Sequence, residues 1–343
     1  MKTNDTIKAV VFGGQYGSEG KGSFSEHLAK SAGSNLVVIG DNAPNSGHTC
    51  SKGKTRQIPA ASFYAQTVCL SPDAVVDPAT LLEDLIAIKE STGKIPAVII
   101  HEHAAFMKPF HGKDEADARL KERIGSTVSG SGQARHTKQY YRIDDSVVGY
   151  ADNIRRLLAV CQDIEIVTTN TWINMMEMFK YRPVIVECSQ GTLLDVNFGR
   201  FPYVTSRTTL PRAMVARNGI DLIEGLKYCG VYRTYPIRTG GNSGNTGGRE
   251  TSFEEIGVKQ EIATVTKRVR RIFEFSSDDF YQSFSLTRPD MIAFTHLDYI
   301  KAGVGSVDGE ATFRQWASER QLTGLINQIP TFISDSTGNF IQI

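Results

Sequence analysis

An α/β chain with a mainly parallel central sheet and helices on both faces is predicted by two features. Short apolar runs alternate with segments of helical period, and a glycine-rich turn joins the first apolar run to a helical segment. No internal repeat or coiled-coil heptad competes with this reading. The expected strands are 7–12, Leu36–Ile39, Ala97–Ile100, Val184–Val186 and Met291–Phe294, each an apolar run of the kind buried inside a parallel sheet. The expected helices are 22–32, 78–91, 149–162 and 310–328. In 78–91, Pro78 occupies the first turn, where its missing N–H costs nothing, and Leu81, Leu82, Leu85 and Ile86 recur at helical spacing. Two stretches, 125–138 and 238–249, read as long loops. The second is flanked by ordered sequence with no shift in composition, so residues 1–343 are expected to form a single domain.

The 343 residues suffice for a large core. Lys+Arg 38 against Asp+Glu 37 gives a formal net charge of +1, which argues against a nucleic-acid-wrapping surface or an acidic tail. No apolar stretch approaches the roughly 20 residues that span a bilayer, so neither nucleic acid nor membrane is an expected partner. Residues 1–6 run directly into a strand with no signal-peptide apolar region. Cys50, Cys69, Cys161, Cys188 and Cys229 are scattered, odd in number and without a CxxC, as reduced thiols would be. A cytoplasmic location follows as the expectation.

Residues 13–23, Gly-Gly-Gln-Tyr-Gly-Ser-Glu-Gly-Lys-Gly-Ser, place five glycines around one lysine between strand and helix. Glycines let backbone N–H groups crowd toward phosphate oxygens, the helix N-terminus adds partial positive charge, and Lys21 adds a full one. The spacing is not that of a Walker loop: Gln15 stands where the first glycine is required, and Gly22 replaces the usual Ser or Thr. Asn45-Ser46-Gly47-His48-Thr49 follows the second strand, where α/β enzymes place active-site groups, and His48 can donate a proton to a phosphate oxygen; a packed turn histidine is the plain alternative. Ser126 and Thr127 offer hydroxyls to a phosphate, or belong to a linker. Gln190, after an apolar strand, can bond a base edge at two points; Thr205 adds a hydroxyl, and Asp195 reads as a capping residue. Lys267, Arg268, Arg270 and Arg271 form either a solvated face or a pocket gripping a carboxylate. Asp298, at the end of a late strand, can accept from guanine N–H groups. His101, His103 and His111 are too few and too isolated to make a zinc site the preferred reading.

In this order, the strings resemble adenylosuccinate synthetase over nearly the whole chain. The family's Gly-x-Gln-Trp-Gly-Asp-Glu-Gly-Lys-Gly is here 13–22, its Asn-Ala-Gly-His-Thr is 45–49, its Gln-Gly-Thr-Leu-Leu-Asp is 190–195, its Tyr-Pro-Tyr-Val-Thr-Ser is 201–206, and its Thr-Gly-Arg-x-Arg-Arg loop is 266–271. The length is similar to the short form of archaea and some phages. The resemblance implies a P-loop-like adenylosuccinate synthetase fold and a two-step ligation: a nucleoside triphosphate phosphorylates O6 of a purine monophosphate, and aspartate displaces that phosphate. It implies Ser18, Lys21 and His48 at the catalytic centre, with Mg²⁺ at Ser18 and the Gly47 carbonyl. Gly17, Glu19, Gly20, Lys21, Gly22, Gly47, His48 and Thr49 would hold the donor's phosphates, and His296, Asp298, Ser336 and Gly338 its base. Ser18, Asn45, Ser126, Thr127, Arg142, Gln190, Thr205 and Arg238 would hold the purine monophosphate, Arg142 across the interface of a homodimer. Thr264, Val265, Thr266, Arg268 and Arg270 would hold aspartate.

Two departures matter. The family aspartate that takes the N1 proton is replaced by Ser18, whose hydroxyl is far too weak an acid to substitute for a carboxylate. Guanine carries an amino group beside N1; a serine leaves room for it and can accept from it. That resembles the phage branch of the family, which joins aspartate to dGMP and gives N6-succino-2-amino-2′-deoxyadenylate, a precursor of 2-aminoadenine in DNA; the location would then be host cytoplasm. Glu19 or a metal-bound water remain as candidate bases. The family's Thr-Lys-Leu-Asp is Thr295-His296-Leu297-Asp298, and the tail lacks the usual Pro-Asp after Thr337-Gly338, so ATP or dATP is expected over GTP. The alternatives are a ligase acting on IMP with GTP and a purine-nucleotide-binding protein without catalysis.

Overall fold

The computed structural model describes residues 6–142, 164–263, 267–301 and 307–343. Its large sheet has ten strands: β1 Lys8–Gly13, β2 Val37–Gly40, β3 Thr67–Leu70, β4 Ala97–His101, β5 Ile164–Val167, β6 Val184–Gly191, β7 Lys227–Arg233, β8 Met291–Thr295, β9 Thr331–Ser334 and β10 Phe340–Gln342. Their spatial order is β10-β9-β8-β7-β1-β6-β2-β3-β4-β5, parallel throughout except for β10 at one edge. The chain fans out from β1 in both directions, so the carboxyl ends of β1, β6 and β7 open a crevice at the switch point, where α/β sheets bind ligands.

Alternation along β1 builds both faces. Val10 and Phe12 join Trp172, Met176 and Met214 from helices Thr169–Phe179 and Pro211–Arg217. Ala9 and Val11 point the other way, onto Phe24 of helix Lys21–Ala29. Every strand expected from the sequence forms, and helix Pro78–Thr92 ends at Gly93, whose φ of 73° closes it. Strands β3, β5, β7, β9 and β10 carry less distinctive sequence and are added by the fold. The helix expected at 149–162 lies outside the described residues. The one expected at 310–328 spans Val307–Glu319, breaks near Gln321 (φ 61°) and resumes over Thr323–Ile326.

The loop expected at 125–138 is shorter than composition suggests. Ser131–Tyr141 is helical, because Glu115 accepts from the N–H groups of Gly130, Gly132 and Gln133 (2.9, 2.9 and 3.2 Å) and satisfies the helix start. The 238–249 stretch is irregular, and strands from both sides of it, β7 and β8, pair in the large sheet. Cys50, Cys69, Cys188 and Cys229 are buried free thiols, whereas Cys161 lies outside the described residues. No group of three or more His, Cys, Asp or Glu suited to a metal occurs among the described residues: His101 Nδ1 accepts from the His103 N–H instead. Among the same residues, no helix is long and apolar enough to cross a membrane.

Candidate active site

The loop after β1 is wrapped around its own glutamate. Glu19 is fully buried; its carboxylate accepts from the N–H groups of Gln15 (3.1 Å) and Gly17 (2.7 Å) and from Lys21 Nζ (2.8 Å). Gly17, Ser18 and Gly20 all have left-handed backbone (φ 93°, 59° and 91°), which bends the chain tightly enough to enclose that side chain. Space is the second requirement: a Cβ on Gly191 at the end of β6 would lie 2.4 Å from the Gln15 carbonyl and 2.6 Å from the Glu19 carboxylate. A buried carboxylate with three donors is a loop anchor, so Glu19 is not placed to serve as the base considered for it above. Gly22 has its own reason to lack a side chain, since a Cβ there would lie 2.4 Å from the Thr49 carbonyl.

His48 opens the hairpin His48–Cys50/Gly53–Thr55, which Glu26 ties to helix Lys21–Ala29 by accepting from the Ser51 N–H at 2.8 Å. The imidazole is 3% exposed. Its Nδ1 lies 2.6 Å from Glu187 of β6, while Nε2 is buried without a hydrogen-bond partner in the protein. Burial alone would raise the Glu187 carboxyl, but His48 and Lys21 nearby hold it below the usual carboxylate range. An ionised Glu187 therefore takes the Nδ1 proton as a hydrogen bond and leaves Nε2 as the ring's unengaged atom. Sequence reasoning did not single out Glu187; the signal available was an acid at the end of the apolar run Val184-Ile185-Val186.

Two cavities open at the crevice. One, of about 120 Å³, is lined by Gly17, Ser18, Asn45, Gly47, Arg238 and Arg270 among others. The other, of about 340 Å³, is lined by Ser126, Thr127, Gln190, Thr205 and residues of helix Ser131–Tyr141. They share Tyr16, Asn45, Thr127, Arg238 and Thr239, so they are continuous. Gln190 has left-handed backbone (φ 66°), and its Oε1 is buried without a partner in the protein, leaving it free for a ligand. The larger cavity thus assembles most residues expected to hold a purine monophosphate. Arg142 is apart from it, exposed at the end of helix Ser131–Tyr141.

Arg270 reaches the smaller cavity from a turn closed by the Arg270 N–H donating to the Glu261 carbonyl (2.9 Å). The Glu261 carboxylate accepts from Arg270 (3.1 Å), Tyr299 OH (2.8 Å) and Arg233, and Arg233 also donates to the Ser18 carbonyl (3.1 Å). Burial would raise Glu261, but Arg233 overrides it and holds the carboxyl at about 2. Arg268 donates to the Gly240 carbonyl (3.3 Å) and lines neither cavity; Thr264, Val265 and Thr266 lie outside the described residues. His296 Nδ1 lies 3.0 Å from the Thr295 hydroxyl, whereas Asp298 meets Ser336: both Asp298 oxygens accept from Ser336, from its N–H (2.9 Å) and its hydroxyl (2.7 Å). Gly338 (φ 82°) lies over helix Lys21–Ala29 at Ser23. Burial and the neighbouring Arg233 push His296 well below its ordinary pKa, so it is neutral.

Comparison with known proteins identifies the family. The adenylosuccinate synthetase family model matches residues 10–144 and 134–304. Adenylosuccinate synthetase of Methanocaldococcus jannaschii is 27% identical over 299 residues, 84% of this chain and 82% of that one. N6-succino-2-amino-2′-deoxyadenylate synthase of Vibrio phage phiVC8 is 30% identical over 295 residues, 83% and 84% of the two chains. The solved structure of cyanophage S-2L succinoaminodeoxyadenylate synthetase, bound to dGMP and to dATP as an energy donor, superposes with a TM-score of 0.79 at 26% identity. That match covers 98% of this chain and 95% of the other. The glycine-rich loop, the crevice above it and these matches along most of the sequence make the chain a C–N bond-forming ligase that belongs to the adenylosuccinate synthetase family.

Proposed function

We propose that this ligase condenses dGMP with L-aspartate at the expense of ATP or dATP, giving N6-succino-2-amino-2′-deoxyadenylate through a 6-phosphoryl intermediate. The observation that carries the reading is Ser18, an exposed residue lining the smaller cavity where the family signature has aspartate. A neutral, short side chain there leaves room for the 2-amino group of guanine and accepts from it. The phage relatives support the same substrate. Archaeal adenylosuccinate synthetases match over a similar length at 26% to 29% identity, which keeps ligation of IMP with GTP as the second reading.

Each further role has its own support. Gln190, with a free buried amide oxygen, offers the purine edge a two-point partner, and Thr127 and Thr205 offer hydroxyls. His48 presents Nε2 to the transferring phosphoryl group, held by Glu187 through Nδ1. Arg270 supplies a guanidinium for a carboxylate of aspartate. Asp298 already accepts from Ser336 with both oxygens, which weakens its use as a reader of guanine N1–H and N2–H and favours an adenine donor. Ser18 and the Gly47 carbonyl line one cavity and provide neutral oxygens only. They suit Mg²⁺ held mainly by substrate phosphates, where the ion would neutralise developing phosphate charge. The active species is expected to be a homodimer.

Aspartate-dependent phosphate release from the purified protein tests this, with dGMP and IMP compared under ATP, dATP and GTP. Turnover with dGMP alone is the expected result. Turnover with IMP alone would replace it by the second reading, and release that ignores aspartate would remove the ligation altogether.

A further inference from the structure

Three of the segments that wall the joined cavities are far apart in sequence: the loop after β1 at Tyr16, the 195–206 segment at Tyr203 and Thr205, and the 238–249 segment at Thr239. Behind them, in the first turn of helix Ser277–Thr287, Asp279 is 4% exposed and lines neither cavity. Its Oδ2 accepts from Tyr16 OH and from the Gly247 N–H, both at 2.7 Å, and its Oδ1 accepts from Arg200 Nη2 at 2.6 Å. Arg200 Nε also donates to the Tyr16 hydroxyl at 2.9 Å. One buried carboxylate therefore ties together one residue from each of these three segments.

The ring of Tyr16 carries this constraint to the cavity. Arg238 stacks over it, 4.7 Å from guanidinium carbon to ring centroid, and donates to the Tyr203 carbonyl (2.7 Å) and the Asn245 carbonyl (3.3 Å). Arg238 is 5% exposed, and among the described residues it makes no ion pair with a carboxylate. Burial lowers its pKa to about 10, so the group remains a cation at neutral pH. A buried guanidinium held by carbonyls and an aromatic face, and facing both cavities, has an unmet demand for an anion.

We propose that Tyr16, clamped by Asp279 and Arg200, is the positioning residue that sets Arg238, already expected to hold the purine monophosphate, against an anionic group of that ligand at the junction of the cavities. This rests on the reading that the cavities take a purine monophosphate. A phenol with its hydroxyl engaged from two sides cannot tilt, and Arg238 inherits that rigidity through the stack. Phenylalanine keeps the face but loses the clamp; leucine loses both.

The test is calorimetric binding of dGMP, IMP and ATP to the full chain and to Tyr16→Phe, Tyr16→Leu and Arg238→Lys, with thermal melting to check folding. Using the tighter-binding monophosphate, Tyr16→Leu is expected to weaken binding about tenfold and Tyr16→Phe about threefold. ATP affinity should stay within about twofold, which a general loosening of the phosphate loop would not allow. Should the leucine variant not fold, the phenylalanine variant carries the comparison. A monophosphate affinity that falls in Arg238→Lys but not in either Tyr16 variant overturns the positioning role alone. Equal losses for ATP and monophosphate overturn it too. If the unmodified chain binds neither monophosphate, the underlying reading falls and the proposal falls with it.

Discussion

Replacing Glu261 with glutamine removes the one carboxylate that Arg233 and Arg270 share. Arg233 is 1% exposed, so the substitution leaves a buried cation with only neutral acceptors. A carboxyl held at about 2 in the folded chain instead of its ordinary 4.5 corresponds to about 3 kcal/mol of stability at neutral pH. Breaking a buried pair from one side costs a similar ~3–5 kcal/mol. The sign follows from the depressed value. The contribution is complete above about pH 4.5, and it drains away as the pH falls toward 2. Urea unfolding followed by the fluorescence of buried Trp172 and Trp316 measures it. Glu261→Gln should lose about 3 kcal/mol at pH 7, and the gap to the unmodified chain should shrink by more than half near pH 3. A loss below about 1 kcal/mol at pH 7, or a gap that ignores pH, would mean that Glu261 is not the group that compensates Arg233.

Four other outcomes are expected. Ser18→Asp should weaken dGMP use about tenfold and favour IMP in the phosphate-release assay; an unchanged preference would sink the steric account of Ser18. His48→Ala should slow phosphate transfer about a hundredfold or more while equilibrium nucleotide binding is kept, and full activity would remove His48 from the chemistry. Gly191→Ala puts a methyl group 2.4 Å from the Gln15 carbonyl, so ATP affinity by calorimetry should drop about tenfold. Ser336→Ala releases one Asp298 oxygen from its hydroxyl donor, and the ratio of GTP to ATP turnover should rise about fivefold.

Local sequence was enough wherever a backbone demand is met by consecutive residues. The glycines of 13–22, the alternation through 8–12 and the motif strings at 45–49 and 190–195 carry the parallel sheet, the phosphate loop and the family, because each depends on residues that are neighbours in the chain. Composition misled at 131–138, where glycine and serine look like a loop but Glu115, on another helix, completes the helix start. The other decisions needed groups brought together from a distance. Glu19 sits in the motif, yet only the enclosure formed with Gly13 and Gly191 turns it inward as an anchor. Glu187 beside His48, Glu261 beside Arg233, and Asp279 beneath Tyr16 are partners 139, 28 and 263 residues apart. Each is a buried charge or polar group whose meaning lies in its partner, and burial strengthens such pairs while hiding them from any local pattern. Residue types along the chain bring hydroxyls, amides and cations to one crevice; long-range packing selects which of them face it and which hold the others in place.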